Sequence, residues 1–211
     1  MTETSDAAAP PLGRRERKKL QTRQALAEAA LKLILERGYD NVTVAEIAEE
    51  ADTAVTTLFK HFPDGKESLV FHGGATLELG VPAGTEDRPA ALAAAIRDRP
   101  EGQGVLDAIE GFIGERAAFN AGPRSARWRK QFRLIVETPA LRAYARRLWM
   151  DCEDAVLAEM ATATGRRADD PALRAVARYA LETPNLVGAD PDAREALRAI
   201  FDRLRAGWPE L

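Results

Sequence analysis

His61, His72 and Cys152 are the residues of this chain most readily turned to chemistry, and their spacing offers little. The two histidines stand eleven positions apart with no cysteine or acid cluster at ligand spacing, so no metal site is expected. The stretch DGKES has the Gly-Lys of a phosphate loop, but Lys60 stands where that loop needs its first glycine. A lone cysteine allows no internal disulfide and fits a reducing cytoplasm, where the protein is expected. Cys152 itself is expected to be buried and inert. No nucleophile elbow and no distinctive carboxylate pair is present, so no catalytic residue and no cofactor is expected. Recognition remains.

The stretch ADTAVTTLFKHF, residues 51–62, has the residues for it. Leu58 and Phe62 fit the inner face of a short helix running from Ala54 to about His61, with Thr53 as its cap. That leaves Val55, Thr56, Phe59 and Lys60 for another surface. Threonine hydroxyls bond phosphates or bases, and Thr and Val methyls can meet the thymine methyl. Just before it, TVAEIAEEA carries the Thr43/Glu46 capping box, with Val44, Ile47 and Ala48 inward. Two short helices joined by a tight turn, after one long helix, predict a helix-turn-helix whose second helix enters a major groove.

The elements that must hold this unit are helical. Ala, Leu, Glu and Arg dominate the 211 residues, and Val/Ile/Thr runs are scarce, so the fold class expected is all-α. The first helix starts near Gly13 and ends at Gly38, with Leu26, Ala30, Leu33 and Ile34 at helical spacing. Its opening turns hold Arg14, Arg15, Arg17, Lys18, Lys19 and Arg23 against one acid, Glu16. Such a patch is either a solvated face or a seat for an outside anion, since cations are unfavourable at a helix N-terminus. After Gly80 comes a loop, then a short helix at AALAAAIRD. Further helices are expected near 104–121, 123–137, 139–164, 171–183 and 191–206, three of them opened by a capping residue and a proline. Pro184 is expected to end the penultimate helix near Thr183. No apolar stretch approaches the roughly 18 residues of a membrane span. The first residues lack the pattern of a secretory signal. The expected division is a disordered tail over 1–13, a helix-turn-helix domain over 14–70, and a helical effector-binding and dimerisation domain over 71–211.

Residues 20–70 resemble the DNA-binding domain of the tetracycline-repressor (TetR) family. The resemblance is carried, in order, by Ala29, Gly38-Tyr39, Thr43-Val44, Ile47-Ala48, Thr57-Leu58-Phe59, His61-Phe62, Lys66-Glu67 and Leu69. It implies that Thr43, Thr57, His61 and Lys66 contact phosphates. Val55, Thr56 and Lys60 would face base edges, with Phe59 against the sugar-phosphate backbone or a thymine methyl. Three departures stand out. Asp52-Thr53-Ala54 replaces the usual Gly-Val-Ser turn, which asks Asp52 for a left-handed backbone. Phe59 replaces a tyrosine. PDGKE carries one residue more than the common PSKE.

Phe112, Phe119, Trp128, Phe132, Tyr144 and Trp149 lie at helical spacing, which fits a core. The family keeps a small-molecule pocket in this region, making Phe112, Arg116, Trp128, Phe132 and Trp149 the ligand candidates. Gly73 and Gly74 either allow close helix packing or soften the connection between pocket and head. The last two helices show apolar stripes, Leu173, Val176 and Ala180, then Ala196, Leu197, Ile200 and Leu204. Such stripes can simply close the domain's own core; by resemblance these helices pair with their copies in a second subunit. The function expected is a homodimeric repressor released from a palindromic duplex operator by an unknown small-molecule effector. A DNA-binding regulator without such an effector, and a helical module or enzyme that does not bind DNA, are the alternatives.

Overall fold

The computed structural model describes residues 13–72, 87–116, 126–188 and 192–207, and every element among them is a helix. The helices are α1 (Arg14–Arg37), α2 (Val44–Glu50), α3 (Val55–His61), α4 (Lys66–Val70), α5 (Arg88–Arg97) and α6 (Val105–Arg116). They continue with α7 (Ala126–Glu137), α8 (Pro139–Met150), α9 (Glu153–Thr164), α10 (Pro171–Val187) and α11 (Ala193–Ala206). Residues 1–12 of the tail expected over 1–13, the Gly73-Gly74 pair, Phe119, and the Gly122-Pro123 and Asp190-Pro191 pairs lie outside the described residues, while Gly13 is the N-cap of α1.

Two apolar cores organise the chain. In the head, α1 buries Leu26, Ala27, Ala30, Leu33 and Ile34 at a 3–4 residue spacing, against Ile47, Leu58, Phe62, Leu69 and Val70. Gly38 ends α1 at φ 86 with its N–H on the Ile34 carbonyl. In the body, Leu92 and Ile96 of α5, Ile109 and Phe112 of α6, and Val156 and Met160 of α9 meet Ala177 and Leu181 of α10 and Phe201 of α11. Helix α8 serves both. Its Leu141 and Tyr144 join the head core, and its Trp149 joins the body core. Beside it on α7, fully buried Gln131 donates Nε2 to the Val70 carbonyl at 3.0 Å.

Four local expectations are corrected. The N-cap of α3 is Ala54 rather than Thr53, and it has no side-chain cap. The helix expected over 139–164 is two, because Cys152 N–H turns onto the Trp149 carbonyl, which sets Cys152 in the body core. Glu153 and Asp154 then open α9, where the helix dipole favours carboxylates. Helix α10 runs through Pro184 to Val187. A proline this near the end removes only one backbone donor, and buried Thr183 and Val187 hold the last turn against the core. The last helix starts at Ala193 rather than 191.

Candidate nucleic-acid interface

The turn between α2 and α3 is set by its backbone. Asp52 takes φ +47, the only positive φ outside glycine among the described residues, as the missing turn glycine requires. The Thr53 N–H bonds the Ala48 carbonyl at 2.9 Å and locks the turn. Helix α2 is fixed at its start by the capping box. Thr43 Oγ1 accepts from Glu46 N–H at 3.2 Å, and Glu46 Oε2 accepts from Thr43 N–H at 2.8 Å. Arg37 donates to Glu46 Oε1 at 2.6 Å. These donors hold the Glu46 carboxyl down at about 2, with the Thr43 backbone N–H the largest cause and Arg37 next.

Helix α3 then divides cleanly. Leu58 is fully buried, while Val55 and Phe59 remain 36% and 45% exposed, unusual for large apolar side chains. Thr56 and Lys60 are exposed beside them, and Thr57 and His61 are half-buried at the rim. Positions 55, 56, 59 and 60 share one face at helical spacing, so the structure brings these four together. Arg23 of α1 closes the C-terminal end of α3, its guanidinium donating to the His61 carbonyl at 2.7 Å and lying 4.7 Å over the Phe62 ring. A cation there complements the helix dipole. His61 is pushed toward its neutral form by burial, then by Arg23, Lys19 and Lys60.

Lys66 is placed differently from the others. Its ammonium donates to the Tyr39 carbonyl at 2.6 Å and the Val42 carbonyl at 3.0 Å, 3.9 Å over the Tyr39 ring. One of its three N–H groups is left for an outside acceptor. Lys66 thus sits beside the start of α2 with Thr43, not on α3. Sequence reasoning saw neither this bracing nor the Arg23 cap. Both bonds end on main-chain carbonyls far along the chain, which side-chain spacing cannot encode.

The family model for bacterial regulatory proteins of the tetR family matches residues 26–72, and the model for the MftR C-terminal domain matches residues 104–209. Together they cover the head core and, apart from α5, the body core. The chain belongs to the TetR family of regulators. Its α2–turn–α3 unit is the DNA-binding helix-turn-helix of that family, followed by the helical ligand-binding and dimerisation domain. The HTH-type transcriptional regulator TcmR of Streptomyces glaucescens is 33% identical over 141 residues, 64% of this chain and 57% of TcmR. This chain therefore spans little more than half the length of TcmR. MftR of Mycobacterium tuberculosis, a regulator named for mycofactocin biosynthesis, is 26% identical over 92% of this chain and 95% of its own. The solved structure of Salmonella enterica GusR superposes with a TM-score of 0.47 at 21% identity, covering 89% of this chain and 93% of GusR.

In this TetR body, the expected ligand residues separate. Phe112 and Trp149 are buried in the same core, and the Arg88 guanidinium lies 4.9 Å over the Trp149 ring. Phe132 is half-buried on α7. The side chains of Arg116 and Trp128 lie outside the described residues. An open cleft of about 800 Å³ lies instead on the head, between α1, the end of α2 and Lys130 of α7, and includes none of these five. No group of three metal-ligating side chains occurs among the described residues, and no described helix is long and apolar enough to cross a membrane.

Proposed function

We propose that the chain is a homodimeric repressor that binds a palindromic duplex operator and leaves it when a small molecule enters the helical body. The observation that carries this is the exposed face of α3, where Val55, Thr56, Phe59 and Lys60 stand clear of the core beside a rigid turn. In this reading these four meet the groove, with Val55, Thr56 and Lys60 on base edges. Thr43, Thr57, His61 and the remaining Lys66 N–H take phosphates, which set register while base contacts set sequence choice. A neutral His61 donates a single hydrogen bond to a phosphate rather than a charge.

The domain division is proposed at 14–70 for the head and 71–211 for the body. One head reads only a few base pairs, so two-fold pairing of bodies is the economical route to an operator of two half-sites. Tyr179 and Leu186 on α10, 40% and 55% exposed, support a second copy packing there. The effector is proposed to contact Phe112, Arg116, Trp128, Phe132 and Trp149. Because α8 belongs to both cores, a ligand that shifts Trp149 has a rigid path to Tyr144 in the head. Linkage then requires DNA and effector to weaken each other by one factor.

The test is selection of bound fragments from random duplex DNA, followed by titration of the recovered site with a metabolite panel. Recovery of a two-fold-symmetric site with effector-dependent release is expected. Failure to enrich any sequence would remove the operator reading, and enrichment without release by any metabolite would favour a regulator without a small-molecule effector.

A further inference from the structure

Helix α1 begins twelve residues before the matched family head, at Arg14 against residue 26. The added turns cancel the negative charge of the head. Residues 24–72 hold four Lys and Arg against nine Asp and Glu, an acidic surface around a helix meant to approach a polyanion. Residues 14–23 add six cations and one carboxylate, which restores neutrality and concentrates the positive charge at one end. All of residues 13–21 are exposed, and of the six cations Arg23 is the one that docks on the head core.

Its direction is fixed too. Arg15, Lys19 and Arg23 follow one another at four-residue spacing, which sets them along one face of α1. Arg23 docks on the His61 carbonyl, and Lys19 acts electrostatically on the His61 ring. The stripe is therefore continuous with the C-terminal end of α3. From Arg23 to Arg15 the helix rises about 12 Å, the axial span of three to four phosphates on one strand.

We infer that the Arg15/Lys19 face of α1 is a second DNA contact, seated on the sugar-phosphate backbone flanking the base pairs that α3 reads. This rests on the DNA-binding reading above. The stripe supplies the attraction and α3 the choice, so it strengthens binding to all duplexes alike. The repulsion of these cations by the positive end of the α1 dipole is offset when phosphates arrive.

The experiment is fluorescence anisotropy with a labelled 30-base-pair random duplex across a salt series. The purified full chain is compared with the R15A/K19A double variant, the charge-keeping R15K/K19R variant and R198A on α11. The double variant is expected to lower the slope of log K against log salt by about 0.9 for each cation removed per bound head, with an unchanged melting temperature. R15K/K19R should keep the parent slope, as should R198A, which removes an exposed cation far from the head. A double variant with the parent slope overturns the inference and leaves the α3 reading standing. A parent chain that ignores every duplex at low salt overturns both.

Discussion

Tyr144 of α8 donates its hydroxyl to Asp64 at 3.1 Å, across the loop PDGKE that is one residue longer than the family pattern. The Arg147 guanidinium lies 3.8 Å from the same carboxylate and 4.8 Å over the Tyr144 ring. Burial, and after it the Asp64 charge, pushes the phenol up to about 12. Asp64 thus fastens the rear of the helix-turn-helix to the helix that both cores share. Tyr144→Phe is expected to cost about 1 kcal/mol in urea unfolding. In an Asp64→Ala background the same change should cost far less, because its partner is already gone. Equal costs in both backgrounds would show the pair to be uncoupled.

Lys66→Ala should act on two measurements at once. Its ammonium braces two carbonyls on the segment leading into α2, and loss of such charged hydrogen bonds is worth about 2 kcal/mol. Unfolding should register that loss. DNA binding should weaken on all sequences, with the salt slope lower by roughly one unit if the third N–H meets a phosphate. Lost stability with an unchanged slope would assign the ammonium wholly to the carbonyls.

The head was legible in the sequence because its signals are local. The Thr43/Glu46 box, Gly38 and the Leu58/Phe62 spacing each lie within one turn of helix, and each stands where expected. Asp52 was legible for the same reason, since a turn pattern asks one backbone for a positive φ. What escaped was non-local or a balance of small terms. Pro184 would end a solvated helix, but packing of Thr183 and Val187 outweighs one lost donor. The break at Cys152 follows from the body core, which no window of α8 or α9 contains. Clamps such as Arg23 on His61 and Tyr144 on Asp64 join residues 38 and 80 positions apart.

Acid should loosen the head in two steps. His72 is held down to about 4 by burial, with Arg23 adding repulsion against a smaller opposing contribution from the Phe71 backbone. Its folded value lies below the usual 6.5, so its neutral form favours the fold above pH 6.5. That contribution drains away as pH falls from there toward about 4. Glu46 is also depressed, from 4.5 to about 2, so its share is intact above pH 4.5 and lost on the way to about 2. Melting temperature against pH should therefore fall in both windows. His72→Phe should flatten the first window and Glu46→Gln the second. A melting temperature that His72→Phe leaves equally pH-dependent between 6.5 and 4 would point to another group.

The outward face of α3 makes the opposite kind of prediction, large for recognition and small for folding. Thr56 and Lys60 are exposed, and Leu58 and Phe62 carry the packing of the helix. Thr56→Ala and Lys60→Ala should change stability by no more than about 0.5 kcal/mol. Each should nonetheless relax base preference at one position of the selected site by about 1–3 kcal/mol, the worth of a base-edge contact. Lys60→Ala should also lower affinity for unrelated duplexes, since it removes a charge, whereas Thr56→Ala should not. Fragment selection repeated with each variant separates them, and variants that recover the parent motif unchanged at every position would move base reading off this face.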